Sequence, residues 1–596
     1  MFIYLLFTLF LVGQVLAGHR LLENTLALPT GWKLLDKTPD PNQEVKLSFA
    51  LHQPKIGLVR DKIGSGLNDS GGYLSHNESQ TLRNPSQTDV TNVLNWLKDS
   101  NISESTYLNS DWIHIKITVK RAESLLDMVL NYYQFEEQKP ILRTRKYAVP
   151  EAVFDAIDFV HPIANFMRPK KELTSATPDV TPKILASVDI GGLNHSLRKR
   201  RAVCSDIATP ECLRAQYNVD YSTPDNSSSI RLGIAGFLDQ YANYKDSNMF
   251  LQGMAPDLYA AGYNYSIVDV NSARNSQNRS MAGIEAALDV QYSMGIGHPV
   301  DITYYLVGGR GTQLNDSGGA LSAEESSNEP YLEFLEYLLD KPDCELPHVI
   351  SISYADNEVS VPALYAHRVY SMFGLLTARG TSILAASGDG GTRGSGDSNC
   401  RTNDGSNRDV AMAVFPATCP WVTAVGAVTG ASDPPEGASF SGGGFSQMFA
   451  RPQWQNSAVS GYVKALNGRM MGYYNDSFRA VPDISAQGTS FMIMQNGYPM
   501  SVQGTSASTP IVAAMIALIN DARVRRGKNV LGFLNRILYT EQVQSTLLDI
   551  TKGQSYECTF SGNESEGWTT AEGWDAVTGL GVPNDFKKLI DLLVSI

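Results

Sequence analysis

Ser506 stands in the string Gly504-Thr505-Ser506-Ala507-Ser508-Thr509-Pro510, which runs directly into the apolar stretch Ile511 to Ile519. A Gly-led turn of hydroxyl residues before an apolar run reads as a helix start, where a serine can serve merely as a cap. It can equally be a nucleophile, because the unsatisfied N–H groups and the dipole at a helix N-terminus favour a nearby oxyanion. A serine nucleophile needs a base. Beyond residue 201 the histidines are His298, His348 and His367, followed by Pro299, Val349 and Arg368, and none has a suitably placed Asp. Carboxylates are the remaining candidates. Glu285 and Asp289 lie four apart in Ile284-Glu285-Ala286-Ala287-Leu288-Asp289-Val290-Gln291, so they are neighbours on one helix face, with no Lys at either i+4 position to offset their repulsion. By itself that pattern is also an ordinary acidic face. A third carboxylate, Asp389, sits in Ser387-Gly388-Asp389-Gly390-Gly391, a turn directly after the apolar run Ile383 to Ala386. Such turns commonly just end a strand.

Carboxylates would suit work in acid. At pH 4 a His with a pKa of about 6.5 is the free base in roughly one molecule in 300, whereas a Glu near 4.3 is about one-third ionised. Two carboxylates this close titrate as a pair.

The elements that must position these groups read as alternating β and α. Leu232 to Phe237, Ile302 to Val307, Val349 to Ser353, Ile383 to Ala386 and Val422 to Val425 are apolar runs of strand length, with helical patterns at Met281 to Met294 and Val361 to Arg379 between some of them. Continuous apolar strands alternating with helices predict an α/β fold with a parallel sheet covered on both faces. Sites in such sheets lie beyond the carboxyl ends of the strands. Upstream, Trp112 to Val119 alternates like a strand and Ala122 to Tyr133 has helical spacing, so a small α+β unit is expected there. Between the two blocks the chain is polar and ends in Arg198-Lys199-Arg200-Arg201, a candidate processing site. The expected division is a signal peptide over 1–17, a propeptide over 18–201 and an enzyme domain over 202–596.

Export is expected from the apolar segment Phe2 to Val12, with Val15-Leu16-Ala17 as cleavage site, and from sequons at Asn68, Asn77, Asn101, Asn194, Asn226, Asn264, Asn278, Asn315, Asn475 and Asn563. Six cysteines (Cys204, Cys212, Cys344, Cys400, Cys419 and Cys558) favour disulfides in an exported chain, and Cys204 and Cys212 are close enough to close a local loop. A net charge of -13 argues against nucleic acid as a partner, and no run after the leader is long enough to predict a membrane anchor.

The string around Ser506 resembles the nucleophile motif shared by subtilisin-like and sedolisin-like peptidases. No histidine lies in the His-Gly setting of a subtilisin, whereas Glu285 and Asp289 resemble the Glu-Asp part of the sedolisin Ser-Glu-Asp triad, and Ser387 to Gly391 resembles the SGDxG segment of that family. Ser441-Gly442-Gly443-Gly444-Phe445-Ser446 resembles the family's Gly-rich cleft segment, where bare backbone would pair with an extended peptide, and Ser351-Ile352-Ser353-Tyr354 with Asp356 and Glu358 resembles a cleft-lining strand end. Leu28-Pro29-Thr30-Gly31-Trp32, Val149-Pro150-Glu151 and Ile157 to Pro162 resemble the family's propeptide, and Thr209 to Arg214 with Tyr217-Asn218 the start of its mature enzymes, especially fungal-type tripeptidyl peptidases.

The resemblance implies a subtilisin-like α/β enzyme with an inhibitory prodomain acting in cis. It would be an acid-active serine-carboxyl peptidase of peptide and protein substrates, with Ser506 as nucleophile, Glu285 as base, Asp289 tuning it and a protonated Asp389 in the oxyanion hole. It also implies one structural calcium ion, held by the side chains of Asp549 and Asp575 and the carbonyls of Ile550, Ala571 and Gly573; Ala571 and Ala576 depart from the family's usual Gly and Pro, which a carbonyl ligand tolerates. Tripeptide release from free N-termini is the expected activity. Endopeptidase action, a neutral subtilisin with a cryptic histidine, and a catalytically inactive secreted binding protein on the same fold are the alternatives. A monomer is expected, secreted or delivered to an acidic vacuole or lysosome-like compartment.

Overall fold

The computed structural model describes residues 18–596 except 26–27, 29–31, 65–71, 103–105, 136–139, 165, 167–206, 226, 310–328, 362, 397–399, 403–407, 431–433 and 561–564. The expected signal segment, the run Arg198 to Arg201, Cys204 and the sequon asparagines Asn68, Asn194, Asn226, Asn315 and Asn563 lie outside the described residues.

Residues 18–166 hold an α+β unit. Its largest sheet is antiparallel: β1 (Glu44–Leu51) lies between β3 (Trp112–Thr118) and β4 (Ile157–His161), and β2 (Thr106–Asn109) flanks β3. Val45, Leu47 and Phe49 of β1 face inward while Glu44 and Lys46 face water, the alternation a one-sided sheet requires. Two helices, α1 (Gln87–Asp99) capped by Ser86 and α2 (Val119–Leu126) capped by Thr118, bury Val93, Leu97, Ala122 and Leu126 in the same core. The spacing of Ala122 to Tyr133 predicts one helix. Only its first half is helical: Asp127 turns left-handed at φ 42°, and Asn131–Phe135 is a strand paired with Trp32–Leu34. Short apolar runs such as Met128 to Tyr133 fit either period, and the neighbouring strand decides.

Downstream, an eight-stranded sheet carries the fold. Its parallel strands are β5 (Arg231–Gly236), β6 (Ser266–Val270), β7 (Asp301–Val307), β8 (Val349–Ile352), β9 (Ser382–Ala386), β10 (Thr423–Thr429) and β11 (Ile484–Gln487), in the spatial order β6-β7-β5-β8-β9-β10-β11, with Glu436–Gly437 adding an antiparallel pair to β10. β8 and β9 are buried along their whole length, which explains their unbroken apolar sequence. One face packs on α3 (Ile284–Gly297) and α6 (Thr505–Arg525), the other on α4 (Tyr331–Leu339) and α5 (Ala363–Ala378). α6 is apolar nearly all round because it runs through the core. Among the described residues it is the helix long and apolar enough to cross a membrane, and most of it is buried in protein. A Cβ on Gly297 would sit 3.3 Å from Ala514 Cβ, so small residues set the close approach of α3 to α6.

The two units meet at α4 and α5. Asp111, fully buried beside β3, takes Arg83 Nε at 2.8 Å and Arg368 Nη1 of α5 at 2.6 Å, and accepts from Gln53 Nε2 at 2.7 Å. Arg368 also reaches Asp158, and Arg83 reaches Asp340. Cys400 and Cys558 form a disulfide, and Cys212 is disulfide-bonded as well, while Cys344 and Cys419 are free thiols.

Candidate active site

α3 joins two parallel strands, β6 and β7, so it runs antiparallel to them and its first turn lies at their carboxyl ends. Its N-cap, Gly283, has no side chain to cap with; Gln240 reaches in instead, its Oε1 accepting from Glu285 N–H at 3.1 Å. Any Cβ on Gly283 would lie 2.3 Å from that oxygen, which is why glycine stands there. Glu285 and Asp289 follow on one face, 5% and 0% exposed. An acidic face in water is excluded by those figures. Asp289 Oδ1 accepts from Ser353 Oγ at 2.8 Å, and its Oδ2 has no hydrogen-bond partner among the described residues. Burial and the charge of Glu285 push the Asp289 carboxyl well above the ordinary range, against the Ser353 hydrogen bond, which lowers it. Tyr304 of β7 and Tyr354 are close enough to feel both carboxylates, whose charge adds to burial in raising their phenols.

The nucleophile candidate opens α6. Ser506 is 6% exposed, and its Oγ donates to the Ser353 carbonyl at 3.3 Å. The structure therefore brings Ser506 and the acid pair to the same strand end, with Ser353 between them. The histidines are elsewhere. His298 ends α3, 13 residues or about 20 Å along the helix from Glu285. His348 accepts from Arg231 N–H at the opposite end of β8, and His367 packs edge-on against Phe449. Burial lowers the affinity of all three for a proton, that of His348 to about 4.

Asp389 follows β9 and turns toward α6: its Oδ1 accepts from Thr505 N–H and Thr505 Oγ1, both at 2.7 Å. Its other oxygen lies 2.7 Å from where a Cβ on Gly504 would be, so the glycine before the nucleophile helix admits that carboxyl group. The Gly-rich segment also makes close contacts of its own. Gly442 N–H donates to Gly388 O at 2.7 Å, a Cβ on Gly442 would stand 2.3 Å from Ser387 O, and one on Gly443 2.0 Å from Ala576 O. These glycines clamp the Asp389 turn to the loop of Asp575.

That loop brings the implied calcium ligands together. Gly573 N–H donates to Asp549 Oδ2 at 2.8 Å, and Ala571 N–H lies 3.3 Å from Asp575 Oδ2. Asp549 Oδ1 is a buried atom without a hydrogen-bond partner among the described residues. Burial raises both carboxyls, Asp575 to about 7, despite three donors on Asp575 Oδ1 from Val577 and Thr578. A hard cation between Asp549 Oδ1, Asp575 Oδ2 and the carbonyls of residues 550, 571 and 573 would satisfy what the protein leaves open, so the donor set fits. No group of three or more His, Cys, Asp and Glu suited to a metal occurs among the described residues, so any ion here depends on backbone oxygen.

Sequence reasoning did not find Gln240, Thr505 or the hydroxyl of Ser353. Thr505, directly before Ser506 in the motif, and Gly283, two residues before Glu285, were the local signals that pointed toward them.

Residues 30–166 match the family "Pro-kumamolisin, activation domain", and residues 280–555 match "Subtilase family". A "Probable tripeptidyl-peptidase SED4" of Trichophyton verrucosum (strain HKI 0517) is 35% identical over 98% of this chain and 96% of its own length. A "Tripeptidyl-peptidase SED3" of Arthroderma otae (strain ATCC MYA-4605 / CBS 113480) is 35% identical over 96% of this chain and 95% of its own. Among solved structures, Pseudomonas sedolisin, a serine-carboxyl proteinase complexed with pseudo-iodotyrostatin, aligns over 66% of this chain and 99% of its own with a TM-score of 0.48 at 20% identity.

Proposed function

This chain belongs to the sedolisin family of serine-carboxyl peptidases and carries that family's activation prodomain, and from that premise we propose that it is an acid-active tripeptidyl peptidase. The observation that carries the reading is the buried pair Glu285–Asp289, one serine away from Ser506, with each histidine of that unit placed elsewhere. A buried acid pair is costly to ionise and serves no packing purpose, which is the condition of a group kept for proton transfer.

Glu285 removes the Ser506 proton, and Asp289 shares and tunes the charge. A hydroxyl carries a single proton, so Ser506 Oγ must turn from the Ser353 carbonyl before it can give that proton to Glu285. Ser506 Oγ then attacks the peptide carbonyl. The oxyanion is met by the N–H groups at the start of α6 and by protonated Asp389, whose position beside Thr505 supports the role. Glu285 returns the proton to the leaving amine, and water hydrolyses the acyl-enzyme. A calcium ion on Asp549, Asp575 and the carbonyls of Ile550, Ala571 and Gly573 would be structural, neutralising the buried Asp575 and the half-buried Asp549 behind the Asp389 turn. The reading includes removal of 1–17 and cleavage after Arg201, with secretion as destination; the fungal tripeptidyl-peptidase relatives support tripeptides as product.

The test is hydrolysis of a three-residue reporter peptide, with free or blocked amino terminus, from pH 3 to 8, using Ser506→Ala as control. Acid-only cleavage of the free form is expected. Cleavage of blocked or internal substrates would make the enzyme an endopeptidase, and a neutral optimum would sink the carboxylate mechanism.

A further inference from the structure

The strand end after β8 makes a contact to each side of the site. Ser353 is 7% exposed; its carbonyl accepts from Ser506 Oγ at 3.3 Å, and its own Oγ lies 2.8 Å from Asp289 Oδ1 and 3.5 Å from the Ser506 carbonyl oxygen. Pro510 explains the last of these. It has no N–H to offer residue 506 four positions earlier, so that carbonyl lacks its helical donor. Ser353 Oγ has one proton for two acceptors, and the shorter distance sends it to the carboxylate.

The other groups acting on Asp289 do not favour its charge. Glu285, one turn back on the same helix, repels it; Tyr304 of β7 and Tyr354, next to Ser353, are buried phenols held in the neutral form. Among the described residues, Asp289 Oδ2 has no hydrogen-bond partner. No lysine or arginine is among the groups acting on it. Among the described residues, the ionised form of Asp289 is thus supported by a single neutral donor, and that donor is attached to the strand end on which the nucleophile rests.

We propose that Ser353 is a positioning residue of the acid pair: its hydroxyl holds Asp289 toward the ionised form while its backbone seats Ser506. The proposal rests on Glu285–Asp289 being the base. Ser353→Ala keeps the backbone seat and removes only the donor. A hydrogen bond to a charged group that is lost on protonation favours the carboxylate, so its removal raises the pKa of the pair and moves the acid limb of the kcat/KM profile to higher pH, by about one unit. At the foot of that limb kcat/KM falls about tenfold, with little change on the plateau. Ser353→Thr, which keeps a hydroxyl, restores the limb.

The measurement is kcat/KM of the processed enzyme from pH 2.5 to 6 for wild type, Ser353→Ala, Ser353→Thr and Asp289→Asn, with thermal midpoints to confirm folding. An upward limb shift in the Ala variant, reversed in the Thr variant, supports the proposal. A uniform loss at every pH with the limb unmoved overturns it, since that is what a packing role gives. If Thr does not fit the site, the limb of the Ala variant alone decides. Asp289→Asn separates the two layers of the argument: a limb that ignores Asp289 removes the acid-pair reading itself, whereas a limb that responds to Asp289 and not to Ser353 removes only the role of Ser353.

Discussion

Asp111 and Asp289 are both buried carboxylates, and the protein treats them in opposite ways. Asp111, at the seam between the N-terminal unit and the enzyme domain, has two guanidinium groups and an amide on its two oxygens. Asp289 has one hydroxyl and a like-charged neighbour. At the seam the desolvation cost of the charge is met by opposite charge, so the group cements a contact. In the site it is left standing, so the group keeps its proton to higher pH than an ordinary Asp and is available for proton transfer. Burial alone therefore does not separate structure from function; what surrounds the buried charge does.

The largest expected effect breaks the catalytic side of that contrast. Ser506→Ala should lower kcat by a factor on the order of 10⁴–10⁶, and Glu285→Gln by a similar order, with the reporter assay as readout. Asp389→Ala should cost on the order of 100–1000-fold in kcat. Asp389→Asn, which donates a hydrogen bond at any pH, should retain more activity and extend it toward neutral pH.

The seam side is tested by Asp111→Asn. It leaves Arg83 and Arg368 buried without their shared carboxylate, and breaking such a pair costs about 3–5 kcal/mol. Lower thermal stability of the unprocessed chain is expected in calorimetry, whereas the processed enzyme, which no longer contains residue 111, should keep the wild-type midpoint. An unprocessed Asp111→Asn chain as stable as the wild type would end the comparison.

Asp289→Asn should do the reverse, lowering kcat while raising the thermal midpoint. The sign follows from proton binding. The folded-state pKa of Asp289 is raised, so the folded protein binds the extra proton and the carboxyl costs no stability below the ordinary Asp value near 4. As pH rises above that value the wild type carries the cost of a buried charge or a retained proton. The stabilisation by Asn should accordingly be absent near pH 3 and present at pH 6. The smallest effect concerns calcium: chelation at neutral pH should lower the midpoint by an amount set by ion concentration over Kd, and Asp575→Asn should remove that dependence.

Much of this contrast was legible in the chain. The strands β5, β7, β8 and β9 stand within a residue or two of their apolar runs because a doubly covered strand must be apolar throughout. Ser506, Glu285, Asp289 and Asp389 were singled out by type and local spacing, and all four lie toward the carboxyl ends of the sheet's strands. Asn131–Phe135 was misread because a run of that length satisfies helix and strand alike. The glycines at 442 and 443 resemble cleft backbone, and the structure adds that they lie against residues 387, 388 and 576, contacts that no local pattern encodes.

The sequence by itself determined the elements, the turn glycines and which side chains were chemically able to act, because period, propensity and residue type are local properties. Only the tertiary structure decided their electrostatic fate. That Asp289 meets the serine just after β8 and, among the described residues, no lysine or arginine, while Asp111 meets Arg368 from 257 residues away, depends on which strands pair and which helices cross. The cost of a buried charge is set by neighbours in space, and those neighbours come from distant parts of the chain.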